Sequence, residues 1–218
     1  MKTALIFGSS GLIGNELFKT ILLNNSYDKI KVFVRSVPGV NNPKVEIIKT
    51  DFSNLEQYKD KIIGDDCFFC IGTTKKNTPD KDEYRRIEYD IPVEIAKIAK
   101  SNSINSFFYV SSGFADSKSS SAYLKNKGQV EEELIKLNFS ILGIMRPSFL
   151  VGNRKEKRPG EEVGIFFFKI FSPLLLGPLK KMRPIQSEKV AKVMIKVASE
   201  NLKKTIFESN EIAELALN

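Results

Sequence analysis

The sequence predicts an α/β protein built on a doubly wound parallel sheet, with helices on both faces in three α/β/α layers. Short apolar runs alternate with amphipathic helical segments, an order that is typical of parallel strands joined by right-handed crossovers. A glycine-rich turn follows the first apolar run directly and precedes the first helix. The length of 218 residues suits a single domain over residues 1–218, within which residues 148–180 approximately form a small C-terminal substrate or lid segment.

The first strand and the turn after it form the most specific motif. Residues 4–7 are a continuous apolar run, as expected for a strand that is buried on both faces. Glycines then allow a tight turn and the close approach of a pyrophosphate, and the N-terminus of the following helix favours negative charge. We therefore predict a nucleotide-binding turn. It comprises Gly8, Ser9, Ser10, Gly11, Leu12, Ile13 and Gly14.

The other elements follow in alternation along the chain. The predicted strands are residues 31–34, 45–48, 66–71, 107–110, 140–145 and a last short one at 205–208. The predicted helices after the first are residues 55–61, 80–100, 121–137 and 187–200. We expect Ser53 and Ser187 to cap the helices that follow them, and Pro92 to interrupt the long helix.

The composition excludes several classes of site. The chain has no histidine, which excludes a histidine-based zinc site and a Ser-His-Asp triad. Cys67 and Cys70 lie on opposite faces of one predicted strand, so we expect neither a disulfide nor a metal pair. The chain runs directly into its first strand without a signal peptide, and we therefore expect a cytoplasmic protein.

The net charge of +8 and one apolar segment bear on the partners of the protein. No groove-reading motif accompanies the scattered lysines, so nucleic acid is not favoured, whereas a basic surface attracts phosphorylated ligands. Residues 163–179 are strongly apolar but too short and interrupted for a transmembrane segment. A lid, a core helix, the interface of a homodimer and a membrane-surface contact remain open for this segment.

Arg35 follows the second predicted strand. In NAD-binding domains, an acidic residue near this place holds the ribose 2′-hydroxyl, whereas an arginine suits a 2′-phosphate. A guanidinium forms paired, charge-assisted hydrogen bonds to phosphate. Arg35 therefore predicts NADP(H) rather than NAD(H).

Tyr123 and Lys127 form a YxxxK pair on one face of a predicted helix. An ammonium group beside a phenol stabilises the tyrosinate, which allows the tyrosine to exchange a proton with substrate. A serine hydroxyl at the end of the fifth strand would hold the substrate oxygen. Ser111 and Ser112 are both candidates, and alternation along the strand lets only one of them face the site.

With these motifs, the chain resembles the atypical branch of the short-chain dehydrogenase/reductase superfamily, in particular the Tat-interacting-protein-like oxidoreductases. The matching stretches, within residues 1 to about 153, are FGSSGLIG, CIGTT, EYRRIEYD, FFYVSSGFAD, YLKNKGQVEEEL and MRPSFLVGN. The resemblance implies a Rossmann-like fold, NADP(H) as cofactor and catalysis by a serine, Tyr123 and Lys127. The asparagine that many of these dehydrogenases use for proton relay is not identifiable. Besides residues 8–14, Tyr123 and Lys127, the implied cofactor contacts are Arg35, Asp51, Phe52, Ile71, Gly72, Thr73, Arg146, Pro147 and Ser148.

These observations lead to the hypothesis of an NADP(H)-dependent oxidoreductase, with hydride transfer to or from a small carbonyl or alcohol substrate and Tyr123 as general acid/base. One alternative is an epimerase or dehydratase of nucleotide sugars, which the short region after residue 150 disfavours. Another is a non-catalytic regulator that binds NADP(H) as a redox sensor, which the YxxxK pair disfavours. The sequence does not identify the substrate.

Overall fold

A parallel β-sheet forms the centre of the computed structural model, which describes residues 2–37, 39–151 and 177–217. Its strands within these residues are β1 (Lys2–Phe7), β2 (Tyr27–Val34), β3 (Val45–Lys49), β4 (Asp66–Phe69), β5 (Ser106–Val110), β6 (Ile141–Arg146) and β9 (Ile206–Glu208). They lie in the order β3-β2-β1-β4-β5-β6-β9, and all neighbours pair in parallel. A separate ladder joins β7 (Leu150–Val151) to β8 (Ile185–Gln186). The predicted doubly wound α/β fold is thus confirmed.

Helices cover both faces of the sheet. They are α1 (Leu12–Leu22), α2 (Lys81–Arg85), α3 (Ile91–Ser101), α4 (Ala122–Lys136), α5 (Ser187–Glu200) and α6 (Ser209–Leu215). A π-helical turn, Arg86–Asp90, joins α2 to α3, and 3₁₀ helices span Glu56–Lys61 and Gly177–Met182. Helices α1 and α5 pack on one face, whereas α3 and α4 pack on the other.

The burial of β1 explains the unbroken apolar run in the sequence. Ile6 belongs to the core beneath α1 and α5, whereas its neighbours Leu5 and Phe7 belong to the core beneath α3 and α4. All three side chains are fully buried. A central parallel strand contacts helices on both sides, so it has no polar face.

The chain reverses its direction of winding at β1, which lies between β2 and β4. Such a reversal leaves a crevice beyond the carboxyl ends of the two central strands, where open α/β sheets bind their ligands. The turn after β1 therefore lies at the predicted position for a nucleotide.

The structure corrects two predicted helix caps. The amide and hydroxyl of Ser53 donate to Asp51 Oδ1 over 2.9 and 2.7 Å, and the next helix has Leu55 at its N-cap. Ser187 is the first residue of α5, and Gln186 is the N-cap. The prediction for Ser53 failed because its hydroxyl bonds within a local turn, and spacing alone does not distinguish the two uses. At Ser187 the N-cap lies one residue earlier than predicted.

The other details of the secondary structure agree with the sequence or extend it. The predicted helix 80–100 is interrupted by the π-helical turn, immediately before Pro92 in the first turn of α3. Cys67 and Cys70 are free thiols on opposite faces of the sheet, as predicted. Helix α6 and the β7–β8 ladder were not predicted. Of the apolar segment 163–179, residues 163–176 lie outside the described residues, so its role stays a prediction.

Candidate functional site

The glycine turn is compressed between β1, β4 and α1. Gly8 has a φ of +89°, and a Cβ atom there would lie 2.8 Å from the backbone of Cys70 and of Ile71. A Cβ atom at Gly14 would lie 2.1 Å from the carbonyl oxygen of Gly8. Both positions therefore require glycine for packing. At Gly11 the corresponding distance to Gly8 O is 3.3 Å and the backbone is extended, so a side chain there requires a shift of only a few tenths of an ångström.

The start of α1 is open to an anion. Gly11 is the N-cap and provides no side chain to bind the first amides of the helix, and the first turn contains no acidic residue. Ser10 and Gly11 are exposed at this end, whereas Ile13 and Gly14 are buried beneath them. Helix N-termini present unpaired N–H groups and partial positive charge, so this turn has the properties of a phosphate site.

Arg35 lies just beyond the carboxyl end of β2. Its side chain is exposed and forms no ion pair or hydrogen bond with another described residue, and its charge helps to lower the pKa of Glu83 after the hydrogen bond from Arg86. The guanidinium is therefore available to a ligand at the same edge of the sheet as the glycine turn.

The turn after β3 is held in one conformation by several contacts. The two hydrogen bonds from Ser53 lower the pKa of Asp51 below its usual value. Phe52 has a φ of 62°, and its buried ring packs against Phe7 at a centroid distance of 6.5 Å. Arg86 Nη1 donates to the carbonyl oxygen of Phe52 over 2.8 Å. Hydrogen bonds and aromatic packing thus hold this turn where a cofactor contact is implied.

Tyr123 and Lys127 lie on α4 with their side chains near one another. Lys127 Nζ is 6.0 Å from the ring centroid of Tyr123 and 4.8 Å from that of Tyr109, and it donates to the carbonyl oxygen of Val110 over 3.2 Å. Lys127 is 4% exposed, whereas Tyr123 is only partly buried. The ammonium is thus held inside the protein, and the phenol lies closer to solvent.

A buried carboxylate faces the Lys127 ammonium. Glu88 Oε2 lies 3.1 Å from Lys127 Nζ, and Glu88 Oε1 accepts a hydrogen bond from the Thr73 amide over 2.5 Å. Burial alone lowers the pKa of Lys127, but the negative charge of Glu88, with smaller contributions from Tyr109 and Tyr123, outweighs burial and raises the pKa well above its usual value. Lys127 is therefore positively charged at neutral pH.

These contacts connect the glycine turn to the tyrosine–lysine pair. Gly8 packs closely against the backbone of Ile71, because a Cβ atom added at Gly8 would lie only 2.8 Å from the Ile71 nitrogen. At the next residue, Gly72, a Cβ atom would lie 3.4 Å from Glu88 Oε1 and 4.0 Å from Lys127 Nζ. The structure thus brings together the predicted residues of the first turn, the loop after β4 and α4.

Ser111 and Ser112 differ in their surroundings. Ser111 is 3% exposed, and its hydroxyl donates to Glu131 Oε1, which lies one turn beyond Lys127 on α4. Ser112 is partly exposed, and its hydroxyl has a weak contact of 3.3 Å with the carbonyl oxygen of Gly113. The Ser111 hydroxyl is thus used in packing the fold, whereas the Ser112 hydroxyl has only this one weak contact among the described residues.

The loop after β6 is also tied to the fold. Arg146 pairs with Glu131 and with Glu208, so its charge is neutralised inside the protein. A cofactor contact of Arg146 would therefore come from its backbone. The Pro147 carbonyl accepts from the Gly113 amide over 2.8 Å, and the Ser148 hydroxyl donates to the carbonyl oxygen of Arg183.

Sequence reasoning missed two buried carboxylates, Glu88 and Glu131. Glu131 follows Lys127 by one helical turn, and this i,i+4 spacing is a signal that it shares the inner face of α4. Glu88 gave no comparable signal, because the π-helical turn that directs it inward changes the helical periodicity locally.

Comparisons with known proteins agree with this geometry. A family model described as NAD(P)H-binding matches residues 8–201. The chain is 30% identical to the protein FMP52-1 of Scheffersomyces stipitis over an alignment of 226 residues. This alignment covers 98% of each of the two chains. It is 35% identical over 173 residues to the protein HTATIP2 of Rattus norvegicus, covering 77% of this chain and 70% of that one. The enzyme WbmH of Bordetella bronchiseptica, solved with NAD+, shares the fold at 15% identity, with a TM-score of 0.72 over 99% of this chain and 79% of its own.

The same comparisons correct the predicted location. FMP52-1 and further matching FMP52 proteins are named as mitochondrial, so the prediction of a cytoplasmic protein is wrong. That prediction depended on cysteine usage and on the start of the chain, which do not distinguish the cytoplasm from a mitochondrial compartment. Among the described residues, no helix combines the length and the apolar character needed to cross a membrane.

Proposed function

Since the chain belongs to the NAD(P)H-binding family, and within it to the atypical short-chain dehydrogenases/reductases, we propose that it is an NADP(H)-dependent oxidoreductase. The close packing from Gly8 through Ile71 and Gly72 to Lys127 supports this proposal most strongly, because it links the glycine turn to the YxxxK pair. The tight glycine turn and the uncapped start of α1 fit a pyrophosphate. When bound, the cofactor would supply or accept the hydride.

The side chains of the protein would control the proton and the substrate oxygen. Tyr123 donates a proton to the carbonyl oxygen in reduction and removes it from the alcohol in oxidation. Lys127 stabilises the tyrosinate by its fixed positive charge and hydrogen-bonds the ribose of the cofactor. Ser112 holds the substrate oxygen beside Tyr123, where charge develops during the reaction.

A screen for turnover tests this proposal. The protein would be incubated with NADPH and a set of aldehydes, ketones and quinones, and oxidation of NADPH followed by its absorbance. Turnover of one of these compounds supports the oxidoreductase. Failure to bind NADPH in a direct titration would contradict the proposal at its first step.

The surroundings of the two serines predict different effects for their removal. Ser112→Ala should lower kcat by about 10²-fold, the scale for loss of one donor to a developing oxyanion, with little change in thermal stability. Ser111→Ala removes a donor to the buried Glu131 and should instead destabilise the fold by about 1 kcal/mol. Turnover and thermal unfolding of both variants measure this difference. A larger catalytic loss in Ser111→Ala would reverse the assignment.

The exposed guanidinium of Arg35 predicts the choice of cofactor. A charge-assisted contact with the 2′-phosphate should make NADPH bind more tightly than NADH by about 1–3 kcal/mol. Arg35→Glu should reverse this preference, because a carboxylate repels the phosphate and accepts hydrogen bonds from a 2′-hydroxyl. Calorimetric titrations of both nucleotides measure the effect, and equal affinities in the wild-type protein would remove the role of Arg35.

A further inference from the structure

The π-helical turn between α2 and α3 places an unusual group inside the protein. Turns of this type are rare and frequently lie at functional sites. Glu88 lies at the centre of the turn Arg86–Asp90, and its side chain is 0% exposed. A fully buried carboxylate loses its hydration and needs compensating partners. The two partners of Glu88 are the amide of Thr73 and the ammonium of Lys127.

We infer that Glu88 is a positioning residue of the cofactor site, which fixes the loop after β4 against Lys127 and maintains the charge of that ammonium. This inference rests on the proposed NADP(H) function. One oxygen of the carboxylate holds the loop and the other faces the lysine, so a single side chain couples the two cofactor-binding segments.

The geometry of Gly72 supports this coupling. The loop passes directly over the ion pair, because a Cβ atom on Gly72 would lie within 4.0 Å of both Glu88 Oε1 and Lys127 Nζ. Both distances are ordinary van der Waals contacts, so the loop at Gly72 lies next to the pair with no other group between them. The ion pair therefore lies directly beneath the loop after β4, and a cofactor would lie on the other side of that loop.

Among the described residues that surround Lys127, the carboxylate is that of Glu88. Burial raises the pKa of Cys70 and of Tyr84 to about 12, and that of Tyr109 also rises, so these three groups stay neutral at neutral pH. The titratable groups that face Lys127 from the packed elements are Cys70, Tyr84, Glu88, Tyr109 and Tyr123. Without Glu88, burial would favour the neutral amine of Lys127.

Burying the Glu88–Lys127 ion pair costs desolvation free energy, which a purely structural contact would not need to cost. Buried ion pairs often stabilise a fold no better than apolar side chains of similar volume, since both charges must be removed from water. An apolar pair at these positions would hold α4 against the π-helical turn equally well. Retaining a charged lysine next to Tyr123 is the property that an apolar pair could not provide.

Glu88→Gln tests the inference, because glutamine preserves the shape and accepts the Thr73 hydrogen bond while it removes the charge. NADPH affinity would be measured by fluorescence titration between about pH 7 and about pH 10. The wild-type protein should bind with nearly constant affinity, since the high pKa keeps Lys127 charged. In Glu88→Gln, burial lowers the pKa of Lys127 into this range, so NADPH affinity should fall about tenfold as the pH rises.

Two controls separate the charge of Glu88 from a general loss of stability. Glu94→Gln changes an exposed carboxylate on α3 and should leave the affinity constant over the same range. In the background of Lys127→Met, Glu88→Gln should add no further pH dependence, because the ammonium on which it acts is absent. If Glu88→Gln does not fold, Glu88→Asp keeps the charge but is too short for both partners, and it should bind NADPH more weakly than wild type without a pH dependence.

The outcomes distinguish this inference from the function on which it rests. Wild-type protein that binds no NADPH overturns the proposed function and the inference together. If the wild-type protein binds NADPH, and Glu88→Gln binds it with the same affinity and the same constancy over the pH range, the inference alone is overturned. The inference is also overturned if Glu88→Gln has its full effect on the pH dependence in the Lys127→Met background. It is overturned as well if Glu88→Asp binds NADPH as tightly as the wild type does.

Discussion

Replacing Gly11 by valine should abolish the binding of NADPH while the protein stays folded. Among the glycines of the first turn, Gly8 and Gly14 are required by contacts within the backbone, so their substitution would disturb the fold itself. Gly11 is exposed, has an extended backbone and lies 3.3 Å or more from neighbouring atoms at its Cβ position. A valine there would project into the space that a pyrophosphate needs in order to reach the helix N-terminus, and affinity should fall by about 100-fold or more.

Calorimetric titration with NADPH measures this loss, and circular dichroism and thermal unfolding show whether the fold survives. Gly39→Val is the matched control, because a Cβ atom at Gly39 meets no atom within 4 Å and the position lies in the loop between β2 and β3. This control should bind NADPH as the wild type does. Undiminished binding by Gly11→Val would mean that the glycine turn is only a connection between β1 and α1.

The strands and their parallel, doubly wound arrangement were accessible from the sequence because the relevant signals are local. Parallel strands buried on both faces appear as unbroken apolar runs, and β1 shows why: adjacent residues Leu5 and Ile6 enter different cores. The turn after β1 was recognisable for the same reason, since glycine spacing, strand and helix start are contiguous. The cap at Ser53 failed because its hydroxyl has a local partner, Asp51, and the cap at Ser187 failed by one residue.

The contacts within the candidate site were less accessible, because they join residues that are distant in sequence. Nothing near Glu88 indicates that its partner is Lys127 on another helix, or that a π-helical turn directs the side chain inward. The choice between the two serines depends likewise on Glu131, whose carboxylate binds the Ser111 hydroxyl. Alternation along the strand predicted that only one serine faces the site, and our proposal of Ser112 depends on the packing of α4.

Removing the hydroxyl of Tyr123 should lower turnover by about 10²-fold or more, the usual scale for loss of a general acid. Tyr123→Phe keeps the aromatic ring, so the partly buried side chain should pack as before and NADPH affinity should be unchanged. The measurement is kcat on a substrate found in the carbonyl screen, together with a direct titration of NADPH. Wild-type turnover by Tyr123→Phe would show that another group transfers the proton.

Lys127→Met distinguishes the proton donor from its charged neighbour. Methionine fills a similar volume, but the variant loses the positive charge and leaves Glu88 buried without its counter-ion, so both stability and turnover should fall. Because the ribose contact is also lost, NADPH affinity should decrease in Lys127→Met but not in Tyr123→Phe. If tight NADPH binding is accompanied by no turnover in a broad screen, and if the nucleotide changes the association of the protein with a protein partner, the chain is a redox-sensing regulator rather than an oxidoreductase.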